Sequence, residues 1–581
     1  MANEGARNKL QAKTTDRKEF LGNVPDSINY PKLTMWQLVY QTADKYPDIV
    51  ALEFMGQKIR YAQFKQMIEQ VARALWAQGI RQGDKVTIAM PNCPQAVAMF
   101  YALNRVGALA NMVHPLSSSG EYKFFLNFSK SKMILTIDQF YHKVAEIRES
   151  LDNPVQVLIT RISDAVPFPL NIGVHFAAER KNPKIPADAD VIYWKAFMRG
   201  AGAVSEVPVP TVTCYDAAAI LYSGGTTGTM KGILLSSMNF NALGLQTAYA
   251  SGIEFDQLAD KKMLSIMPMF HGFGLGIGIH MFLIIGGTCM LVPRFSVKTY
   301  ANLLRKKQPN FIAGVPTLYE ALMRADNVDG LDLSCLMGVF SGGDCLSFEL
   351  KQKVDAFLMA HGAKVQVREG YGTTECFTAS CLTPKDYYRK GSIGLPFPDT
   401  FYKIVAVGTT DEVPFGQEGD ICLTGPTVMI GYMDNPAETA IALKKHADGR
   451  TWLHTGDLGM MDEDGFVYFR QRIKRMIITS GYNVYPSQIE NIIDGHEKVL
   501  YSCVIGVKDP YKVQMVKAFV VLRPGVEPTD AVKDELMAWC RKQVAKYAMP
   551  YDIEFRSELP KTLVGKVAYR TLEEEENQLA S

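Results

Sequence analysis

The segment Leu221-Tyr-Ser-Gly-Gly-Thr-Thr-Gly-Thr-Met-Lys-Gly232 gathers glycines, hydroxyls and a cation at the end of an apolar run. Gly224, Gly225, Gly228 and Gly232 let backbone N–H groups turn inward, while Ser223, Thr226, Thr227, Thr229 and Lys231 add donors. Such a loop can hold phosphate oxygens. It is not a Walker A loop, because Lys231 is followed by Gly232 rather than Ser or Thr, and it is not a dinucleotide fingerprint. A lone glycine cluster also suits an exposed turn, so the other segments matter. Gly370-Tyr-Gly-Thr-Thr-Glu375 pairs a stacking aromatic with a carboxylate, and Trp452-Leu-His-Thr-Gly-Asp457 sets a second carboxylate on a tight turn. Arg472-Ile-Lys474 supplies two cations, and Pro560-Lys-Thr-Leu-Val-Gly-Lys566-Val-Ala-Tyr-Arg570 supplies more. Taken singly, each has a structural reading as well: a first-turn carboxylate, a turn aspartate, a solvated linker charge. His271 could equally be a satisfied core histidine.

Taken together and in this order, the five segments resemble the signature of the adenylate-forming enzymes: acyl-CoA synthetases, aryl-CoA ligases, peptide-synthetase adenylation domains and beetle luciferases. The resemblance runs from about Met35 to Arg570. It implies a carboxylic acid joined to the α-phosphate of ATP with release of pyrophosphate, then attack of a thiol on the acyl-adenylate. Two anions meet in the first step, so catalysis is chiefly charge neutralisation and positioning. By resemblance, Ser223 to Lys231 cradles phosphates, with Thr226 and Thr227 as hydroxyl contacts. Glu375 holds Mg²⁺, a hard ion suited to oxygen ligands. Asp457 accepts the ribose hydroxyls and Arg472 contacts ribose or phosphate. Gly342, Gly343, Gly370, Tyr371 and Gly372, beside Thr374, form the adenine slot. Lys566 bridges the substrate carboxylate and α-phosphate as the main catalytic cation, with His271 beside the acyl site. Phe273, Ile277, Gly314, Phe377, Thr378 and Ala379 fall near the acyl tunnel, and the glycines at 272, 274, 276 and 278 are expected to leave room for a chain. These apolar or small residues fit a fatty or aryl acid.

The second half-reaction implies rotation of a small domain about Lys474, with Gly481 allowing the pantetheine arm of CoA to approach. The implied ligands are therefore ATP, Mg²⁺, CoA and a carboxylic acid. Departures exist: Met230 stands where the family has proline, which removes a φ restraint but no donor, and Thr451 replaces a common glycine. Delivery of the acyl group to a carrier protein in trans, and a non-catalytic nucleotide- or lipid-binding role, are the alternatives. Ile478 occupies the position of a luciferase lysine and disfavours that activity.

Elements that would position these residues are legible around them. Tyr61, Phe64, Met67, Ile68, Val71 and Leu75 fall at helical spacing. Lys85 to Met90, Gln95 to Val106 and Ala108 to Val113 read as strand, helix, strand, the βαβ mark of a parallel sheet. Further strand-length runs occur at Met133 to Ile137, Ala217 to Leu221, Phe311 to Val315, Leu336 to Phe340 and Asp420 to Leu423. The basic stretch from Arg470 to Arg475 separates this body from a smaller tail with strands at Tyr501 to Val507 and Lys517 to Leu522, a helix at Asp530 to Val544, a polar loop and an acidic terminus. The expected fold is α/β: a large layered N-terminal body, 1–471, a hinge at 472–475, and a small mobile α+β domain, 476–581.

Composition bounds the function. A chain of 581 residues with 62 Lys+Arg against 60 Asp+Glu has a formal charge of +2 and no field favouring nucleic acid. At 47% hydrophobic and 21% charged it is globular rather than disordered. Ten cysteines without a C-x-x-C pair argue for free thiols in a reducing compartment and against a zinc site or disulfide framework. The polar first twenty residues do not read as a secretion signal. Phe273 to Val292 is apolar enough to span a bilayer, but its glycines and His280 favour a buried helix, a Gly-Gly turn and a buried strand from Thr288 to Val292. A cytoplasmic location without stable membrane insertion is expected. Peripheral membrane association and oligomeric state, monomer or homodimer, stay open.

Overall fold

The computed structural model describes residues 17–579 apart from 178, 188, 225–229, 326, 480–481, 510 and 562–566. Two large sheets build the body. In the first, Lys85–Ala89, Leu109–Met112, Met133–Ile137, Gln156–Thr160, Val191–Tyr193 and Ala217–Gly224 run parallel, and Met230–Ser236 turns back antiparallel to carry the edge strand Gly431–Tyr432. In the second, Lys262–Ser265, Thr288–Leu291, Phe311–Gly314, Gly338–Ser341 and Val367–Tyr371 are parallel, and short strands at either edge are antiparallel. The helical spacing near residue 61 becomes the helix Tyr61–Ala77, whose buried stripe of Phe64, Ile68, Val71 and Leu75 faces the core. The next strand–helix–strand unit appears as Lys85–Ala89, Pro94–Val106 and Leu109–Met112.

A third sheet within 401–472 was not separable from the body by sequence pattern. Its strands Phe401–Val405, Gly419–Thr424, Leu443–Lys445, Thr451–Met461 and Val467–Arg472 pair antiparallel. They alternate buried and partly exposed positions too weakly to announce one another.

The tail folds on its own sheet, built on the hairpin Val499–Asp509 and Val513–Leu522, with Asp552–Phe555 parallel to the latter. Its core includes Ile489, Ile493, Val504, Val516, Val520 and Leu536. The helix near 530 ends at Arg541, before the expected Val544. The acidic terminus forms a helix, Tyr569–Leu579. Leu572 buries against Cys503, Ile505 and Phe519, and Glu576 pairs with buried Lys517. That burial supplies the tertiary support which an acidic run lacks in isolation.

The charge-free stretch 263–293 is core. It forms a π-helix, Phe273–His280, continues as Met281–Ile284, turns at Gly286 and Gly287, and enters the strand Thr288–Leu291. Among the described residues no helix is long and apolar enough to cross a membrane. The wide π turn brings Gly274 against the carbonyl oxygens of Met267 and Pro268, where a Cβ would lie 2.4 and 2.2 Å away.

Candidate active site

Parallel strands from each of the two body sheets end at a cavity of about 1740 Å³. Ligands of open α/β sheets bind outside the carboxyl ends of strands. Ser223 comes from the end of Ala217–Gly224, Gly342 and Gly343 follow Gly338–Ser341, and Tyr371 closes Val367–Tyr371. Gly370 lies within that last strand, Gly372, Thr374 and Glu375 follow it, and all these residues line the cavity. So do Lys231, His271, Phe273, Ile277, Thr378, Ala379, Asp457, Arg472 and Lys474. The sequence segments quoted above, far apart along the chain, thus meet in one place. From the tail, Lys561, Tyr569 and Arg570 complete the wall. Gly225, Thr226, Thr227, Gly228, Thr229, Gly481 and Lys566 lie outside the described residues.

The third sheet, of which the sequence showed only the strand at Asp420 to Leu423, sets the polar centre. Asp457 and Arg472 are cross-strand partners on Thr451–Met461 and Val467–Arg472. Arg472 Nε lies 2.9 Å from Asp457 Oδ1, and the Tyr371 hydroxyl donates to Oδ2 at 2.6 Å. Asp457 is 2% exposed, and burial raises its pKa above the ordinary carboxylate range, with Arg472 pulling the other way. Arg472 is held more firmly protonated, chiefly by Asp457. The turn before Asp457 depends on Gly456 at φ +70°, whose N–H donates to Asp420 Oδ1 at 3.2 Å.

A second polar group surrounds Glu375, on the turn Thr374–Cys376. Its Oε1 accepts from the Tyr432 hydroxyl at 2.9 Å and from Ser223 Oγ at 3.4 Å. Among the described residues these side-chain hydrogen bonds both fall on Oε1. The second carboxylate oxygen, beside a cavity lined by hydroxyls, is the donor type that Mg²⁺ prefers. Lys231 is ion-paired with Glu438 and sits 4.9 Å above the Tyr432 ring centre. Tyr432 and Glu438 escaped sequence reasoning. Their position comes from pairing of the two-residue strand Gly431–Tyr432 with Met230–Ser236, and no local motif marks it.

The apolar wall departs from expectation in one respect. Glycines at 272, 274 and 276 do not open a channel. A Cβ on Gly272 would lie 2.6 Å from Thr378 Oγ1, and one on Gly276 would lie 2.6 Å from Leu243, so these residues let protein pack on protein. Gly278 alone of the four has no heavy atom nearer than 3.8 Å. Phe377 and Gly314 are set back from the cavity. Phe377 packs 4.0 Å from the Phe240 ring, and Gly314 accommodates Leu318. Phe377 and Thr378 both adopt positive φ, +46° and +81°, in the segment that meets Gly272. Non-glycine residues held this way cost of order 1–3 kcal/mol each and cluster at functional sites.

Comparison with known proteins agrees with this geometry. The family model described as AMP-binding enzyme matches residues 39–433, and AMP-binding enzyme C-terminal domain matches 488–566. The chain belongs to the AMP-binding enzymes. This AMP-binding enzyme is 33% identical over 567 residues to the long-chain-fatty-acid–CoA ligase of Bacillus subtilis strain 168, covering 96% of this chain and 98% of that one. It is 32% identical to the long-chain-fatty-acid–CoA ligase of Escherichia coli O6:H1, covering 95% and 96%. The solved structure of ATP-bound MatB from Rhodopseudomonas palustris superposes with a TM-score of 0.79 at 26% identity, covering 94% of this chain and all of that one.

Proposed function

We propose that this AMP-binding enzyme is an acid–thiol ligase acting on long-chain fatty acids. The supporting observation is one cavity that joins a polar side, with the cations Lys231 and Arg472 and the carboxylates Glu375 and Asp457, to an apolar wall (Phe273, Ile277, Ala379). The named activity of the two bacterial relatives points to the same acid class. In the first half-reaction a carboxylate oxygen attacks the α-phosphorus of ATP, the bond to the β-phosphate oxygen breaks, and pyrophosphate leaves. In the second, the CoA thiol attacks the acyl carbonyl, AMP leaves, and the thiol proton is released.

Each side chain then has a task. Asp457 accepts ribose hydroxyls, Arg472 keeps it ionised, and Tyr371 both fixes Asp457 and offers a face to adenine. Lys231 moves from Glu438 to the terminal phosphates, alongside Thr226 and Thr227. Glu375 would hold Mg²⁺, which supplies neutralisation of phosphate charge when bound. Lys566, by the family resemblance, neutralises the reacting carboxylate and α-phosphate. His271, Thr378 and Ala379 shape the mouth of the acyl site. We further infer a hinge at 472–475 between 1–471 and 476–581. It is supported by a 3-10 turn, Ile473–Arg475, between the last strand of the third sheet and the first strand of the tail.

Acid-dependent exchange of labelled pyrophosphate into ATP tests the reading, with palmitate, hexanoate and benzoate compared. Exchange with palmitate, and acyl-CoA formation only when CoA is added, is the expected result. Exchange with benzoate alone would overturn the chain-length assignment. Absence of exchange with any acid would overturn the reaction itself.

A further inference from the structure

The third sheet brings three potential soft ligands together. Cys422 on Gly419–Thr424 is the cross-strand neighbour of His454 on Thr451–Met461, and His446 follows the strand Leu443–Lys445. One donor atom from each lies within 4.8 Å of the others. Cys422 is fully buried, His446 is 5% exposed, and the two imidazoles meet Nε2 to Nε2 at 2.9 Å. We propose that Cys422, His446 and His454 form a binding site for a thiophilic divalent cation of the Zn²⁺ class. It is distinct from the magnesium position at Glu375.

The hydrogen bonds orient this cluster for an ion. Asp420 Oδ2 lies 2.8 Å from His454 Nδ1, and a carboxylate there can only accept. His454 therefore carries its proton on Nδ1 and aims the Nε2 lone pair at His446. A carboxylate behind a ligating histidine is the usual outer-shell partner in zinc sites, fixing both tautomer and ring orientation. His446 Nε2 must donate to His454 while no ion is bound, and that bond alone selects the tautomer, because His446 Nδ1 is buried with no hydrogen-bond partner among the described residues. Its proton can shift to Nδ1 and free Nε2 for the ion.

An ion bound here takes the place of the Cys422 thiol proton, which is released to solvent, and the imidazoles stay neutral. Lys403 works against an added cation, but it is paired with Asp448, and Asp420 balances it from the other side. His454 and Asp420 also line the large cavity, the side from which a fourth ligand would come. The sequence hides the cluster, because the ligands are spaced 24 and 8 residues apart on three segments rather than as a C-x-x-C pair. This inference stands whether or not the ligase reading does.

The full chain, stripped of metal with a chelator and dialysed, is titrated with Co²⁺ and read by absorption. The expected result is one Co²⁺ per chain, with a thiolate-to-cobalt charge-transfer band and tetrahedral visible bands, displaced by Zn²⁺. Cys422→Ser should abolish the charge-transfer band. His446→Gln should weaken the affinity at least tenfold, and Asp420→Asn by about 10- to 100-fold. Absence of the band in the unsubstituted protein overturns the proposal. So does a band that persists in Cys422→Ser, since exposed Cys345 or another thiol would then be the ligand. If Cys422→Ser fails to fold, His446→Gln decides: unchanged cobalt affinity and spectrum would refute the site.

Discussion

Replacing Arg472 with methionine isolates the electrostatics of the proposed nucleotide pocket. Asp457 is 2% exposed, while the Arg472 side chain is 43% exposed. Removing one partner of a fully buried pair costs about 3–5 kcal/mol, whereas an exposed pair contributes about 0–1. A pair buried on one side falls between, so Arg472→Met should cost about 2 kcal/mol. Losing the cation raises the Asp457 pKa further, because Arg472 is the charge that opposes the effect of burial. The sign follows from linkage. A carboxylate whose folded pKa lies above its unfolded value favours the fold most when protonated, below the unfolded value, and loses that contribution as pH rises through the folded value. Burial already raises Asp457, and losing Arg472 widens the gap.

The variant should therefore match the parent in thermal midpoint near pH 4 and fall about 2–4 °C below it at pH 8. Scanning calorimetry across that range measures the difference. Adding Asp457→Asn to the variant should recover most of the loss at pH 8, because no buried charge is left without its partner. A penalty that is the same at pH 4 and pH 8, or a double variant no more stable than Arg472→Met, would refute the reasoning.

Glu375→Gln should lower pyrophosphate exchange by about two orders of magnitude and raise the Mg²⁺ concentration needed for half-maximal rate, read by metal titration of the exchange assay. Glu438→Gln should lower the KM for ATP by about 2- to 5-fold, because Lys231 no longer has to leave a carboxylate to reach phosphate. Gly274→Ala should destabilise the body by about 1–3 kcal/mol through overpacking, seen as a lower thermal midpoint, while Gly278→Ala should be nearly neutral. Lys566→Ala should abolish adenylate formation while leaving thioester formation from supplied acyl-AMP largely intact. Equal loss of both would contradict the assigned role.

Where strands are buried and lie next to one another in order, the sequence showed them: Met133–Ile137 matches its apolar run residue for residue. The segments with glycine, carboxylate and cation were legible as chemistry because their residue types are costly without a purpose, and the structure gathers the described ones around one cavity. The missing parts share a different cause. Tyr432 reaches Glu375, and Glu438 reaches Lys231, only through a two-residue edge strand. Cys422 meets His454 only through antiparallel register. Such register is set by side chains on the partner strand, so no window along the chain contains it. The glycines at 272, 274 and 276 misled for a related reason. Glycine marks close approach without saying what approaches, and here Thr378, backbone carbonyls and Leu243 do.

His280 ends the π-helix between the Tyr101 hydroxyl, 2.9 Å from Nδ1, and the Asn241 amide oxygen, 3.0 Å from Nε2. Burial holds its pKa down to about 3, so the ring stays neutral at any physiological pH. This polar stitch belongs to an otherwise greasy ribbon, and part of its cover, Phe311 against Phe282 and Phe377 over Gly276, is translated afterwards. During synthesis the ribbon therefore emerges before that part of its cover exists. The nascent polypeptide passes through an interval in which holding factors and slow, cool expression govern its yield more than the stability of the finished enzyme does.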